Sequence, residues 1–255
     1  DKTGYGAGSY GSGPYSVGGA GEGESTEDGL WSFDNWGQNL VGVHSQDGRL
    51  FQWDPVTPTV IMSDVTAAPV DNRLVIVTPE RHVMLMGGKH HPRRIKWCSQ
   101  ENIDDWTPTA TNSAGGFEIE TNGVITAACK FPGGIVVFTD MDVHIIEYIG
   151  APYYYARRRV TDMTGIAGQN CVTASPNGVF WFGGTNFWKY NGSVERLDCP
   201  IREELLANSN LDKAVTLHMG LNELFQEVWF FYPAKGDPEA SRAIIFSYAP
   251  TPYWS

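Results

Sequence analysis

The stretch GGIVVFTDMDVHIIEYIG, residues 133–150, decides how this chain is read. A run of β-branched and aromatic residues, Ile135 to Phe138, meets the polar turn Thr139-Asp140-Met141-Asp142, and a second apolar run ends on Tyr148. Side chains of this kind suit a pleated sheet, and aspartates at the turn supply Asx-type positions. The chemistry is that of a β-hairpin. IVVF is apolar without alternation, as expected of an inner strand covered on both faces.

The same unit returns four more times. NLVGVHSQDGRLFQWD (39–54), RHVMLMGGKHHPRRIKWC (81–98), NGVFWFGGTNFWKYNG (177–192) and EVWFFYPAKGDPEASRAIIFSYAP (227–250) each place a polar turn between two apolar runs. The closing aromatics, Trp53, Trp97, Tyr148, Tyr190 and Tyr248, stand 44, 51, 42 and 58 residues apart. A hairpin that recurs near every 45 residues points to radially stacked four-stranded blades, an all-β propeller over residues 26–255. A β-sandwich would explain the strands but not the aromatic at a blade-like period. One helical signal interrupts them: IREELLANSN (201–210) follows Asp198-Cys199-Pro200. Asp198 is placed to cap, Pro200 to occupy the first turn and Asn208 to end a short connector helix.

Residues 1–25 have a different texture. Tyr5, Tyr10 and Tyr15 recur every five residues among glycines and serines, in a segment that cannot build a core. It reads either as a linker or as a glycine-rich arm whose tyrosines enter pockets on a neighbouring subunit. Tyrosine buries much area at little rotamer cost and keeps a hydroxyl for pairing.

Composition limits the function. The net charge is −11, with 29 acidic against 18 basic residues, which argues against a sequence-independent nucleic-acid binder. Cys98, Cys129, Cys171 and Cys199 form no C-x-x-C spacing and read as reduced, buried or half-buried thiols. No apolar stretch is long enough to span a membrane. The first residue is Asp1 and the last are PTPYWS, so the chain reads as a piece of a longer one.

No catalytic or metal site stands out. Ser45-Gln46-Asp47-Gly48 approaches the Asp-box of propeller glycosidases, but its glycine follows the aspartate directly, which suits a hairpin turn. His90 and His91 read as solvated turn residues with no further ligands nearby in sequence. The pairs Asp104-Asp105 and Glu203-Glu204 carry no information alone. No cofactor motif is present, and the chain reads as a non-enzyme. Arg157, Arg158 and Arg159 follow Tyr153-Tyr154-Tyr155. Adjacent residues of an extended chain point to opposite faces, so the three cannot converge as a clamp. Tyrosine and arginine are frequent interface anchors, so a loop carrying Tyr154 and these arginines is expected to meet a partner subunit.

Several segments together suggest a family. TGYGAGSYGSGPY, LWSFDNWGQNLVGVHSQDGRLFQWDP, KWCSQENIDDWTP, GGIVVFTDMDVHIIEY and GQNCVTASPNGVFWFGG resemble, in that order, parts of the tail hub or nozzle proteins of short-tailed bacteriophages. These are also called tail stabilisation proteins or tail tubular protein B. The resemblance implies a structural virion subunit, assembled in the host cytoplasm. It implies a hexameric ring below the portal and adaptor that extends the DNA channel and holds fibres or spikes. DNA would pass without specific binding, so Asp and Glu turns are expected at the lumenal edge and the three arginines at a neighbouring subunit. The chain is shorter than such proteins and lacks closing strands, which residues outside it or a second chain must supply. A carbohydrate-binding or glycoside-hydrolysing propeller is the alternative.

Overall fold

Each repeated hairpin supplies the second and third strands of one four-stranded antiparallel sheet, and five such sheets follow one another along the chain. The computed structural model describes residues 29–57, 61–211 and 213–255. Blade 1 holds Trp31–Trp36 (β1), Asn39–His44 (β2), Leu50–Trp53 (β3) and Ser63–Asp64 (β4). Blade 2 holds Leu74–Val77 (β5), Val83–Met86 (β6), Arg94–Trp97 (β7) and Gly115–Glu118 (β8). Blade 3 is Ile125–Phe131 (β9), Gly134–Thr139 (β10), Val143–Gly150 (β11) and Tyr154–Thr161 (β12). Blade 4 is Val172–Ser175 (β13), Gly178–Phe182 (β14), Phe187–Tyr190 (β15) and Val194–Leu197 (β16). Blade 5 is His218–Asn222 (β17), Glu227–Tyr232 (β18), Arg242–Ser247 (β19) and Tyr253–Trp254 (β20).

The first strands gather at a common axis: β1 packs on β5, β5 on β9, β9 on β13 and β13 on β17. The fourth strands lie outermost. This is the radial arrangement of a β-propeller, as the repeat predicts. The second strands of blades 2 and 4, VMLM and GVFWF, are buried at every residue. Trp53, Trp97 and Tyr190 end third strands, Tyr148 lies two residues before the end of β11, and Tyr248 is just past β19. Their surroundings differ, since Trp97 and Tyr190 are buried while Tyr148 is exposed.

The core is a series of inter-blade layers. Val41, Val43 and Leu50 of blade 1 meet Val75, Val83 and Leu85 of blade 2. Met84, Met86 and Ile95 of blade 2 meet Ile135, Val137 and Ile146 of blade 3. Phe138 of blade 3, Trp181 and Phe182 of blade 4 and Phe230 of blade 5 share the largest layer. Among the described residues no such layer joins blade 5 to blade 1.

Two local expectations need correcting. The connector helix (α1, Arg202–Asn208) lies between blades 4 and 5 and ends at Asn208 as expected, but its N-cap is Ile201, with no side-chain cap. Asp198 instead lies 3.2 Å from Arg196, and Pro200 precedes the helix, because the Cys199 carbonyl has already accepted the Arg202 amide. The second correction concerns Arg157, Arg158 and Arg159, which sit on β12 and not in a loop. Tyr155 and the three arginines pair in register with Tyr148, Ile146, Ile145 and His144 of β11, so the segment is held as an edge strand.

Candidate functional site

On β12 the alternation of an extended chain sends neighbouring arginines to different blades. Arg157 donates to Glu120 at 3.0 Å and lies over the ring of Phe117, both at the end of blade 2. Arg158 turns the other way and donates to the Tyr190 hydroxyl of blade 4 at 3.1 Å, with Glu147 at 3.3 Å. The Tyr190 contact outweighs burial and keeps Arg158 above the usual guanidinium range. Arg159 lines a recess of about 350 Å³ together with Arg93, Glu120, Asp142 and Asp162. The three arginines do not converge. Tyr154 is half-buried beside the His82 ring, whereas Tyr153 is exposed. Tyr5, Tyr10 and Tyr15 lie outside the described residues.

The end of the blades that carries the turns between second and third strands is rich in carboxylates with assigned work. Asp47-Gly48 forms the predicted hairpin turn, with Gly48 at φ 73° and both Asp47 and Gly48 amides on the His44 carbonyl. Arg49 bonds Asp47 at 2.6 Å and holds its carboxyl below the usual range. Asp71 accepts the amides of Lys89, His90 and His91 at 2.7, 3.0 and 3.1 Å, so it clamps the KHHP turn. The two histidine side chains remain exposed, as expected. Asp140 takes the Val124 amide at 2.7 Å. The clamp by Asp71 was invisible in sequence because about twenty residues separate its partners.

Two buried polar clusters also escaped the sequence. His82 lies between Tyr155, whose hydroxyl is 2.9 Å from Nδ1, and Ser113, whose Oγ is 3.1 Å from Nε2. Burial lowers the His82 pKa and raises that of Tyr155. Ser113 Oγ also accepts the Gln100 amide at 2.7 Å and lies 3.3 Å from Ser99 Oγ, so the group ties the segment after β7 to His82. In the second, the Thr139 hydroxyl donates to Asp142 at 2.5 Å. His144 Nε2 stands 3.1 Å from the same carboxylate, off the line a hydrogen bond needs. Both clusters pin turns to strands.

The aromatic surface sits elsewhere, on blade 1. Along β1, Ser32, Asp34 and Trp36 turn toward blade 2: the Ser32 hydroxyl accepts the Val75 amide at 3.1 Å and Asp34 the Val77 amide at 2.7 Å. Trp31 and Phe33 therefore turn away from it. They are 45% and 50% exposed and stack with ring centroids 5.1 Å apart. Phe33 lies over Gly42, where a Cβ would come within 2.6 Å of its ring. In register beyond Gly42 is Phe51, whose ring is 6.1 Å from that of Trp31.

No protein-family profile matches this sequence, and no curated protein does. Solved structures match in fold. A streptogramin B lyase structure has a TM-score of 0.53 at 7% identity, covering 88% of this chain and 67% of that one. The N-terminal domain of Nup159 gives 0.50 at 10% identity, with 88% of this chain and 60% of that one covered. The extracellular domain of a one component system from B. thetaiotaomicron gives 0.52 at 9% identity, over 88% of this chain and 34% of that one. The chain thus spans about two thirds or less of each. At such identities the likeness concerns architecture alone: a β-propeller, in a fold that also serves enzymes, as the lyase illustrates.

Proposed function

We propose that this chain is a non-enzymatic structural subunit of a bacteriophage tail, assembling as a homo-oligomeric ring of six around a channel for DNA. The observation that carries the reading is the stacked, half-exposed pair Trp31 and Phe33. It lies within LWSFDNWG, one of the segments that resemble the tail hub and nozzle proteins. A contiguous aromatic surface of this kind marks a site of association.

Two further features support it. Asp71 and Ser113 are occupied by backbone amides and Asp142 by the Thr139 hydroxyl, which suits a scaffold better than a catalyst. The net charge of −11 suits a wall past which a polyanion slides without tight binding. The axis of the blades is not that channel. Its first strands carry one acid and one base, Asp34 and Lys130, and these close on each other at 2.8 Å. The channel in this reading lies between copies, and portal, adaptor and fibre proteins are the partners above and around it.

Electron microscopy of the purified chain tests the proposal. Class averages with six-fold symmetry and a central opening are expected. Single five-bladed particles at every concentration, or binding to glycans on an array, would favour the carbohydrate-acting alternative.

A further inference from the structure

Asn122, Asn177 and Asn191 each precede a glycine. All three are exposed, between β8 and β9, between β13 and β14, and between β15 and β16. An asparagine so placed can lose its side-chain amide to its own backbone. The nitrogen of the next residue attacks Cγ, and glycine serves best there because no Cβ blocks the approach and its backbone turns freely. The fold enters through one requirement: the glycine N–H must be unengaged and able to swing onto the side chain.

Two of the three turns withhold that amide. Gly123 donates to the Thr121 hydroxyl at 2.9 Å. It is also buried, and a Cβ there would come within 2.6 Å of Thr139 and Asp140. Gly178 is buried as the first residue of β14, in register with Ser175 and against the Tyr190 carbonyl. Gly192 differs on every count. It is exposed, it stands at φ 110°, and nothing lies within 4 Å of where a Cβ would be. Among the described residues its amide has no acceptor and the Asn191 side chain has no partner. Only the Asn191 main-chain amide is engaged, on the Ser193 carbonyl at 3.3 Å.

We infer that Asn191 is a site of spontaneous deamidation, selected over Asn122 and Asn177 by the unengaged amide of Gly192. The Gly192 nitrogen gives its proton to solvent base and bonds to Asn191 Cγ. The Cγ–Nδ2 bond breaks, and Nδ2 leaves as ammonia with a proton from water. Water then opens the five-membered imide at either carbonyl, giving aspartate or its isoaspartyl isomer. Water is the one co-reactant. The product carries an added negative charge in the turn that leads from Tyr190 into the outermost strand of blade 4. The inference does not depend on the ring reading.

Opening a hydrogen bond before reaction slows an amide by about two- to tenfold, and freeing a buried turn slows it further. Trypsin places the three asparagines in separate peptides, 97–130, 160–189 and 190–196, so mass spectrometry follows each one. The full chain is held folded in mildly alkaline buffer beside the same chain unfolded in urea. In urea the three sites should react at similar rates. In the folded chain Asn191 should react at least about fivefold faster than Asn122 or Asn177, at a rate near its own in urea. Asn191→Gln should remove the fast reaction, because the longer side chain disfavours ring closure. Equal rates at the three sites in the folded chain would overturn the inference. So would an Asn191 protected by folding as strongly as the other two, or a fast reaction that survives Asn191→Gln.

Discussion

Lys130 Nζ sits 2.8 Å from each carboxylate oxygen of Asp34, a contact that joins the first strand of blade 3 to the first strand of blade 1 across the axis. Close by, the Gln169 side-chain amide donates to the Trp31 carbonyl at 3.2 Å. These bonds tie blade 1 to the centre of the propeller although, among the described residues, no blade packs on its rear face. The two partners do not contribute alike. Lys130→Ala leaves Asp34 still accepting the Val77 and Asn35 amides, so it should cost only about 1 kcal/mol. Asp34 is 13% exposed and also holds the Val77 amide, so Asp34→Ala leaves a buried donor unpaired and should cost about 1–3 kcal/mol. Urea denaturation of both variants measures the difference, and equal costs would mean that the Val77 bond contributes nothing.

The turn after blade 2's second strand depends on one carboxylate. Burial works to raise Asp71, but the amides of His90 and Lys89 and the charges of His90 and Arg94 outweigh it, holding its pKa below the ordinary range. A depressed carboxylate contributes stability that is complete above its unfolded pKa, about 3.9, and is lost as pH falls through the folded value. Asp71→Asn removes the charge and should cost about 1–2 kcal/mol at neutral pH. Hydrogen exchange gives the sharper readout: the amides of Lys89, His90 and His91 should lose protection selectively. Unchanged protection at these three would contradict the clamp.

His82 sets a second, higher pH limit. Burial lowers its folded pKa below 6.5, so the unfolded chain binds the proton more readily. Its contribution is full above about pH 6.5 and shrinks as pH falls below that value. Thermal melts should therefore show Tm declining from about pH 6.5 downward, before any carboxylate titrates, and His82→Asn should flatten that part of the curve. A Tm constant between pH 7 and pH 5 in the unaltered chain would contradict it.

The cysteines offer a probe of the core. Burial pushes Cys98 up to about 11 and Cys129 and Cys171 up to about 12, so little thiolate exists at neutral pH. Cys199, only half-buried beside α1, is raised as well but less enclosed. A thiol reagent at pH 7.5 should modify the half-buried Cys129 and Cys199 slowly and Cys98 and Cys171 only on unfolding. Rapid reaction at Cys171 in the native protein would place it outside the layer that holds Trp181 and Phe230.

Much of this architecture can be read from residue order. Runs such as VMLM, IVVF and VFWF are buried on both sides, so hydrophobicity marks the second strands, and Asp or Gly turns place the third strands beside them. The first and fourth strands are harder to read. Ser63–Asp64 and Tyr253–Trp254 are two residues long, and VERL (194–197) is half polar because it lies outermost. The helix cap misled because Asp198 has a nearer charged partner in Arg196, which no propensity encodes. The exposure of Trp31 and Phe33 is not legible either. WSFDNW alternates like any strand between two blades, and only the three-dimensional order shows that, among the described residues, no blade lies behind Trp31 and Phe33. The intrachain partners of Arg157 and Arg158, Glu120 and Tyr190, lie 37 and 32 residues away to either side and are not legible in the sequence.

Native mass spectrometry of the unaltered chain, across a range of concentrations, tests the central claim most directly. A ring-forming structural subunit predicts a closed assembly of six copies, with no stable species beyond it and a monomer population that falls as concentration rises. A chain that remains monomeric at the highest concentration, with Trp31 quenched freely by a solvent-borne quencher, would contradict it.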